Sequence, residues 1–430
     1  MKHLPPIFLF LIFLITPIRG FGQKKLKNHV QSKMSVINSI SPDSISFKDL
    51  MPIGEAIGAS TIVMLGEQAH GDGATFEAKS RLVKYLHEKK GFNVLVFESD
   101  FFALTEGWEN LGKDKKSITR FFKENLYPVW SYCPQCSDLL YSYIPKSYQD
   151  NNPLTVAGFD SQFHGRYTAD SIKSYLTSFL QTNHISYASS EEFESFFLPF
   201  LDSLSKFNRQ KSGYLDSLSR SNFAQNYIRF DNAIDIINKE ISPKLDSTFA
   251  SVILENYKVF ARGLRYFGKD TLRDSRDIRM GENLRWLAEV KFPGQKIIVW
   301  AADSHIMKNG TTMIKRKIPY LQSMGNQFVH HNDWEKKTYI IGFTSAYGIS
   351  QTAYSTRANH IKPPKQGFEN WVNKDINYGF VDFRNFNKNN PGYSENFKLK
   401  ALGHGSLNGV WTNVFDGIFY IREMLPCTSK

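Results

Sequence analysis

Cysteine is scarce in this chain: Cys133, Cys136 and Cys427 are the only three in 430 residues. A lone C-P-Q-C with no second pair excludes a four-ligand structural zinc site. The Tyr- and Trp-rich surroundings of that pair also lack the strand-to-helix turn that a redox C-x-x-C uses. For an exported chain the expectation is then a local disulfide between Cys133 and Cys136. Past residue 22 no stretch is long enough and free enough of charge to span a bilayer. The sequence holds no G-x-S-x-G, so the strained serine elbow of many hydrolases is missing. Internal repeats and low-complexity tracts are absent too, and charge runs such as 113–116 are short. Such runs read as solvated faces, and no nucleic-acid partner is expected.

What is present is a globular composition, 41% hydrophobic and 14% aromatic, well outside the disordered range. The length suits one large α/β domain with an insertion, or two domains. Residues 1–22 have the layout of a signal peptide: Lys2-His3, an apolar run over 4–16, then small and turn-prone residues. Cleavage is expected near Gly22, giving an exported, periplasmic or secreted protein of residues 23–430 with no membrane span. The formal charge of +12 falls by two when Lys2 and Arg19 leave with the leader. Basic charge spread this evenly favours anionic surfaces or substrates only weakly and says nothing about fold.

Apolar runs over 61–65, 94–97, 154–157, 296–300 and 338–341 lack a polar face and alternate with helical patterns. That pattern predicts an α/β fold with a central, mostly parallel sheet covered by helices. Residues 23–46 read as a leading helix or a loose arm. From about 169 to 270 no strand is evident, and apolar residues recur at three and four, as in Ile172, Tyr175, Leu176 and Phe179. This block is expected to be an inserted helical cap, followed by a further helix over 270–290. Segments 379–383 and 414–421 read as strands at the sheet edge.

The chemistry-bearing residues gather at predicted strand ends. Glu67 and His70 follow the first strand, Glu98 the second and Asp160 the third, while His305 lies beyond the fourth. Open parallel sheets place ligands at this edge. A histidine near carboxylates takes a proton from water at neutral pH. Each residue also has a plainer role open to it. Glu67 caps the next helix, His70 satisfies a turn carbonyl, Glu98 forms a structural ion pair, or His305 is an ordinary strand-end histidine.

The segments LGEQAHG, KSRL, VFESD, VAGFDSQ, RDIRMGENLRWL, KIIVWAADSH, YIIGFTSAYG and VFDGIFYI occur in this order. Together they resemble the erythromycin esterase family over nearly the whole mature chain. The resemblance implies that His70 is the general base, that Glu67 and Glu98 line its cleft, and that Lys79 is the basic residue of the following helix. It assigns Arg276 and His305 to the catalytic set, with Lys79, Asp160 and Gln162 on the substrate side. It further implies a metal-independent, cofactor-free hydrolase acting on a small-molecule ester or lactone such as a 14-membered macrolide.

The family pattern has His-Asn after Trp-Ala; here Ala302 and Asp303 stand there. A methyl group neither donates nor accepts a proton. The implied mechanism is attack of His70-activated water on the carbonyl, with Arg276 or His305 meeting the oxyanion. For Arg276 the plain alternative is a helix-surface pair with Asp277 or Glu282. Two other functions stand beside the esterase. Glu67, His70, Glu98 and His305 are acceptable ligands for the ion of a metal-dependent hydrolase or peptidase. Ala302 fits an exported binding or polysaccharide-related protein that keeps the cleft without turnover.

Overall fold

The computed structural model describes residues 19–205, 217–241, 247–265, 271–310 and 322–427, apart from 354, 356 and 364. The leader expected over 1–22 lies outside these for residues 1–18. The strands are β1 (Ser35–Ile37), β2 (Ile62–Leu65), β3 (Val94–Asp100), β4 (Thr155–Asp160), β5 (Ile297–Trp300), β6 (Thr338–Ser350), β7 (Asn359–Ile361), β8 (Tyr378–Asp382), β9 (Phe397–Leu402), β10 (Gly405–Gly409) and β11 (Gly417–Met424).

Among the described residues, nine of these form one sheet in the order β1-β8-β11-β6-β2-β5-β3-β4, with β7 added on β6. The run from β11 to β4 is parallel throughout, while β8, β1 and β7 join antiparallel. The expected mostly parallel α/β sheet is therefore present. Its C-terminal strands build the β6 side, and the N-terminal β1 takes the outermost place there. The remaining two strands, β9 and β10, form a separate hairpin.

Burial explains why the inner strands show no alternation in sequence. Every residue of β2, β3 and β5 is buried, because helices cover both faces. Successive side chains still point to opposite sides. Ile62, Met64, Val94, Val96, Ile297 and Val299 enter one core, while Val63, Leu65, Leu95, Phe97, Ile298 and Trp300 enter the other.

The helices between Arg166 and Arg265 share the first core with the sheet, through contacts such as Phe163 on Tyr257 (ring centroids 4.1 Å apart) and Phe101 on Phe249 (5.1 Å). The next helix, Thr271–Trp286, is fastened to β4 by Asn283 Nδ2 donating to the Phe159 carbonyl at 3.0 Å. The leading segment is a helix, Arg19–Lys33, with Leu26 and Val30 buried in that same core. No helix among the described residues is long and apolar enough to cross a membrane.

The cysteines pair differently from expectation. Cys133 bonds to Cys427 (Cα–Cα 5.4 Å), and Cys136 is a buried thiol. A 3-10 turn over Pro134–Cys136 points Cys136 into the core, where burial pushes its pKa well up. Cys427 is brought in from far away: its N–H bonds to the carbonyls of Gly71 (3.1 Å) and Gln351 (2.9 Å). A tertiary contact, not local spacing, selects the partner.

Candidate active site

In-register strands align their carboxyl ends. Leu65 pairs with Trp300, Trp300 with Phe97, and Phe97 with Gly158. The residues just beyond them form a cluster with two halves.

The first half stands on the turn between β2 and helix Gly73–Lys90. Glu67 is fully buried, and its Oε1 accepts from His70 Nδ1 at 2.9 Å and from Trp130 Nε1 at 3.0 Å. The ammonium of Lys79 pairs with Oε2 and sits 4.2 Å above the Trp300 ring. Burial lowers the pKa of Lys79, against the pull of Glu67. Trp130 also meets the His70 ring edge-on, with centroids 5.6 Å apart. The His70 side chain keeps 40% of its exposure. Since Nδ1 is engaged by Glu67, Nε2 carries the reactive lone pair of the neutral ring. Desolvation opposes a charge on His70, but the hydrogen bond and charge of Glu67, helped by Glu98, outweigh it and raise the pKa.

Glycine permits this turn. A Cβ on Gly66 would lie 1.7 Å from Asp303 Oδ1, and one on Gly71 would lie 2.6 Å from Gln351 N. Any larger residue at either position would force the turn open.

The second half joins β3, β4 and β5 to helix Thr271–Trp286. Glu98 Oε1 accepts from Arg276 Nη2 at 3.0 Å and lies 3.2 Å from His305 Nε2, while Oε2 accepts from the Ala302 amide at 3.0 Å. Arg276 forks onto Asp160, with Nε to Oδ1 at 3.0 Å and Nη2 to Oδ2 at 2.6 Å. His305 Nδ1 lies 2.7 Å from Asp277 Oδ1. Burial works against charge on His305, but Asp277 and Glu98 raise its pKa to about 9. Burial likewise opposes charge on Glu98, and His305, Arg276 and His70 hold its pKa well below the usual carboxylate range.

His305 is thus a clamped imidazolium, its side chain 6% exposed. Arg276 is 22% exposed, and its Nη1 meets neither carboxylate but lies 3.4 Å from His305 Nε2.

All the residues read from sequence therefore converge on one strand-end edge. Gln162 sits at the rim, its Oε1 accepting from Tyr127 OH at 3.1 Å, and Tyr127 stacks on His164 with centroids 3.8 Å apart. The plain alternative for Glu98, an ion pair, is present with Arg276 at 3.0 Å, whereas those for Glu67 and Arg276 do not hold. Glu67 does not cap helix Gly73–Lys90, whose N-cap is Asp72. Arg276 pairs with Asp160 and Glu98, while Glu282 pairs with Arg279. Asp277 and Trp130 escaped the sequence reading; Asp277 belongs to the R-D pair but serves His305 rather than its neighbour.

Asp303, in the family's asparagine position, accepts the Phe343 amide on both oxygens, at 3.1 and 3.2 Å. Burial pushes its carboxyl pKa well up, against the pull of the Phe343 amide and the Lys79 charge. Among the described residues no group of three or more His, Cys, Asp or Glu side chains is arranged to hold a metal ion.

Fold and site define an α/β protein with an acid–base cluster at the carboxyl edge of a parallel sheet. A sequence model of erythromycin esterase matches residues 87–423, most of the chain, and the protein belongs to the erythromycin esterase family of hydrolases. That match spans Glu98, Asp160, Arg276 and His305 and begins after the turn that carries His70.

The putative hydrolase YbfO of Bacillus subtilis (strain 168) is 26% identical over 407 residues, covering 90% of this chain and 89% of that protein. Solved structures share the fold. A Bacillus cereus protein superposes with a TM-score of 0.70 at 19% identity, covering 94% of this chain and 98% of that one. A succinoglycan biosynthesis protein gives 0.68 at 19% identity, with the same coverages. The erythromycin esterase EreC, a mutant in its open conformation, gives 0.61 at 15% identity, covering 91% and 97%.

Proposed function

We propose that this protein hydrolyses a carboxylic ester or lactone with water activated by His70 and without a covalent enzyme intermediate. The observation that carries the reading is the Glu67–His70 pair. A buried carboxylate, held by Trp130 and Lys79, fixes Nδ1 and leaves Nε2 on a solvent-reached ring.

Nε2 takes a proton from water, and the resulting hydroxide attacks the ester carbonyl. Glu67 stabilises the imidazolium that forms, as the carboxylate does in other histidine–acid pairs. Arg276 Nη1, which meets no carboxylate and lies 3.4 Å from His305 Nε2, is the donor assigned to the oxyanion, the other nitrogens being committed to Asp160 and Glu98. His305, with both nitrogens facing carboxylates, holds Glu98 and Arg276 in place. Collapse of the tetrahedral intermediate expels the alcohol, which takes the proton back from His70.

The substrate class follows family membership and the EreC neighbour: a macrolide-like lactone. Export of the mature chain goes with this reading, resting on the apolar run at the N-terminus. The test is mass spectrometry of 14- and 16-membered macrolides incubated with the mature protein. Gain of one water marks lactone opening, expected with and without EDTA. Loss of the product in EDTA, restored by a divalent metal, would transfer the site to the metal-dependent reading.

A further inference from the structure

The turn between β2 and helix Gly73–Lys90 carries a second histidine–carboxylate contact that the reaction above does not use. Asp72 Oδ1 lies 2.9 Å from His404 Nε2. Asp72 is fully buried, and its Oδ2 accepts from the Ala69 amide at 3.0 Å. Ala69 and Asp72 flank His70, so this one carboxylate closes the loop on which the base stands.

His404 arrives from the hairpin of β9 and β10, in the two-residue turn Gly403-His404, where both φ angles are positive (57° and 60°). Glycine adopts that conformation freely. For a histidine it is a strained conformation. The His404 side chain is 4% exposed, and its Nδ1 is buried with no hydrogen-bond partner. Backbone and burial both work against this residue, and its compensating hydrogen bond goes to Asp72.

The hairpin grips the same turn twice more. Gln68 Nε2 donates to the Lys400 carbonyl at 2.6 Å, and the Gly403 amide donates to the Gln68 carbonyl at 2.9 Å. Charged groups facing the two histidines are few. Glu67, Glu98 and His305 act on His70, and Asp72 is in contact with His404 and acts on the Lys400 ammonium.

We propose that His404, acting through Asp72, is a positioning residue that sets the His70 imidazole against Glu67. The inference rests on His70 being the base. Without His404, Asp72 Oδ1 is buried with no partner, a state costly enough to make the carboxylate turn away from Ala69. The loop then drifts, and the contact from His70 Nδ1 to Glu67 lengthens.

The test is an NMR titration of histidine-labelled mature protein, with His70→Ala assigning the His70 resonance. It is paired with steady-state hydrolysis of p-nitrophenyl acetate. Asparagine tolerates positive φ but is too short to reach Asp72. His404→Asn is therefore expected to move the His70 midpoint down toward the ordinary ~6.5. It should lower kcat by about ten- to a hundredfold with KM unchanged, the scale of a misplaced catalytic group. His404→Gln puts an amide nitrogen where Nε2 was, and should restore both.

A wild-type midpoint and kcat in His404→Asn would overturn the proposal. So would lowered thermal stability with the midpoint unmoved, or failure of His404→Gln to rescue. Full turnover in His70→Ala would instead bring down the base assignment, leaving the midpoint shift to judge the positioning claim by itself.

Discussion

Two histidines stand at the same sheet edge, and their surroundings set them to opposite work. His70 has one carboxylate neighbour and a ring 40% exposed; His305 has two and is 6% exposed. One carboxylate orients an imidazole and leaves its second nitrogen for chemistry. Two carboxylates occupy both nitrogens and hold the ring as a cation, with a pKa near 9. Residue type therefore does not determine role here. The count of buried acids within hydrogen-bond reach does.

The largest effect that bears on this division is expected from His70→Ala. Removing a general base costs about 10²–10⁴-fold in turnover, and a part-exposed turn residue should leave thermal stability nearly unchanged. A variant that keeps most of its rate would collapse the contrast.

His305→Gln should show the reverse balance. Breaking a buried charge cluster costs about 3–5 kcal/mol of stability, read as a lowered denaturant midpoint. The folded fraction should keep more activity than His70→Ala does. Equal loss of rate in the two variants would mean that both rings take part in proton transfer.

The pH dependence sharpens the comparison. With His70 as the proposed base its neutral form is the active one, so kcat/KM is expected to rise as pH climbs through its raised pKa, above the free imidazole value of ~6.5. The rate then falls near pH 9, as His305 loses its proton and releases Glu98. The stability due to His305 follows the same sign. Its folded pKa is raised, so that contribution is complete below ~6.5 and lost as pH rises through about 9. Measuring kcat/KM and the thermal midpoint from pH 5 to 10 checks both limbs. A rate that falls as pH rises from 6 to 8 would contradict the base assignment.

The smallest effect is expected at Ala302, whose amide already serves Glu98. Ala302→His should raise macrolide opening a few-fold by returning an imidazole to the family position. An unchanged rate would show a site adapted to a different ester.

Much of the site could be read before any coordinates, because chemistry at strand ends leaves a compact local signature. Glu67 with His70, and Glu98 after its apolar run, lie within a few residues of the strands that carry them. What stayed hidden has no local signature. Asp277 looked like a partner for Arg276, but a helix sends residues one apart to different faces, and it reaches His305 instead. Nothing around Trp130 in the chain marks it for the site, and only folding brings its indole N–H to Glu67. The pairing of Cys133 with Cys427 spans 294 positions, which favoured the nearer Cys136 in a local reading.

Sequence alone determined the parallel α/β sheet, the order of its strands along the chain, and the presence of an acid–base cluster at one edge. These follow from hydrophobic runs and the residues that end them, which are properties of neighbours in the chain. Tertiary structure decided which histidine is free and which is clamped, which cysteines join, and that a distant hairpin holds the turn of His70. Those outcomes depend on distances of about 3 Å between side chains hundreds of positions apart, and only the packed fold sets such distances.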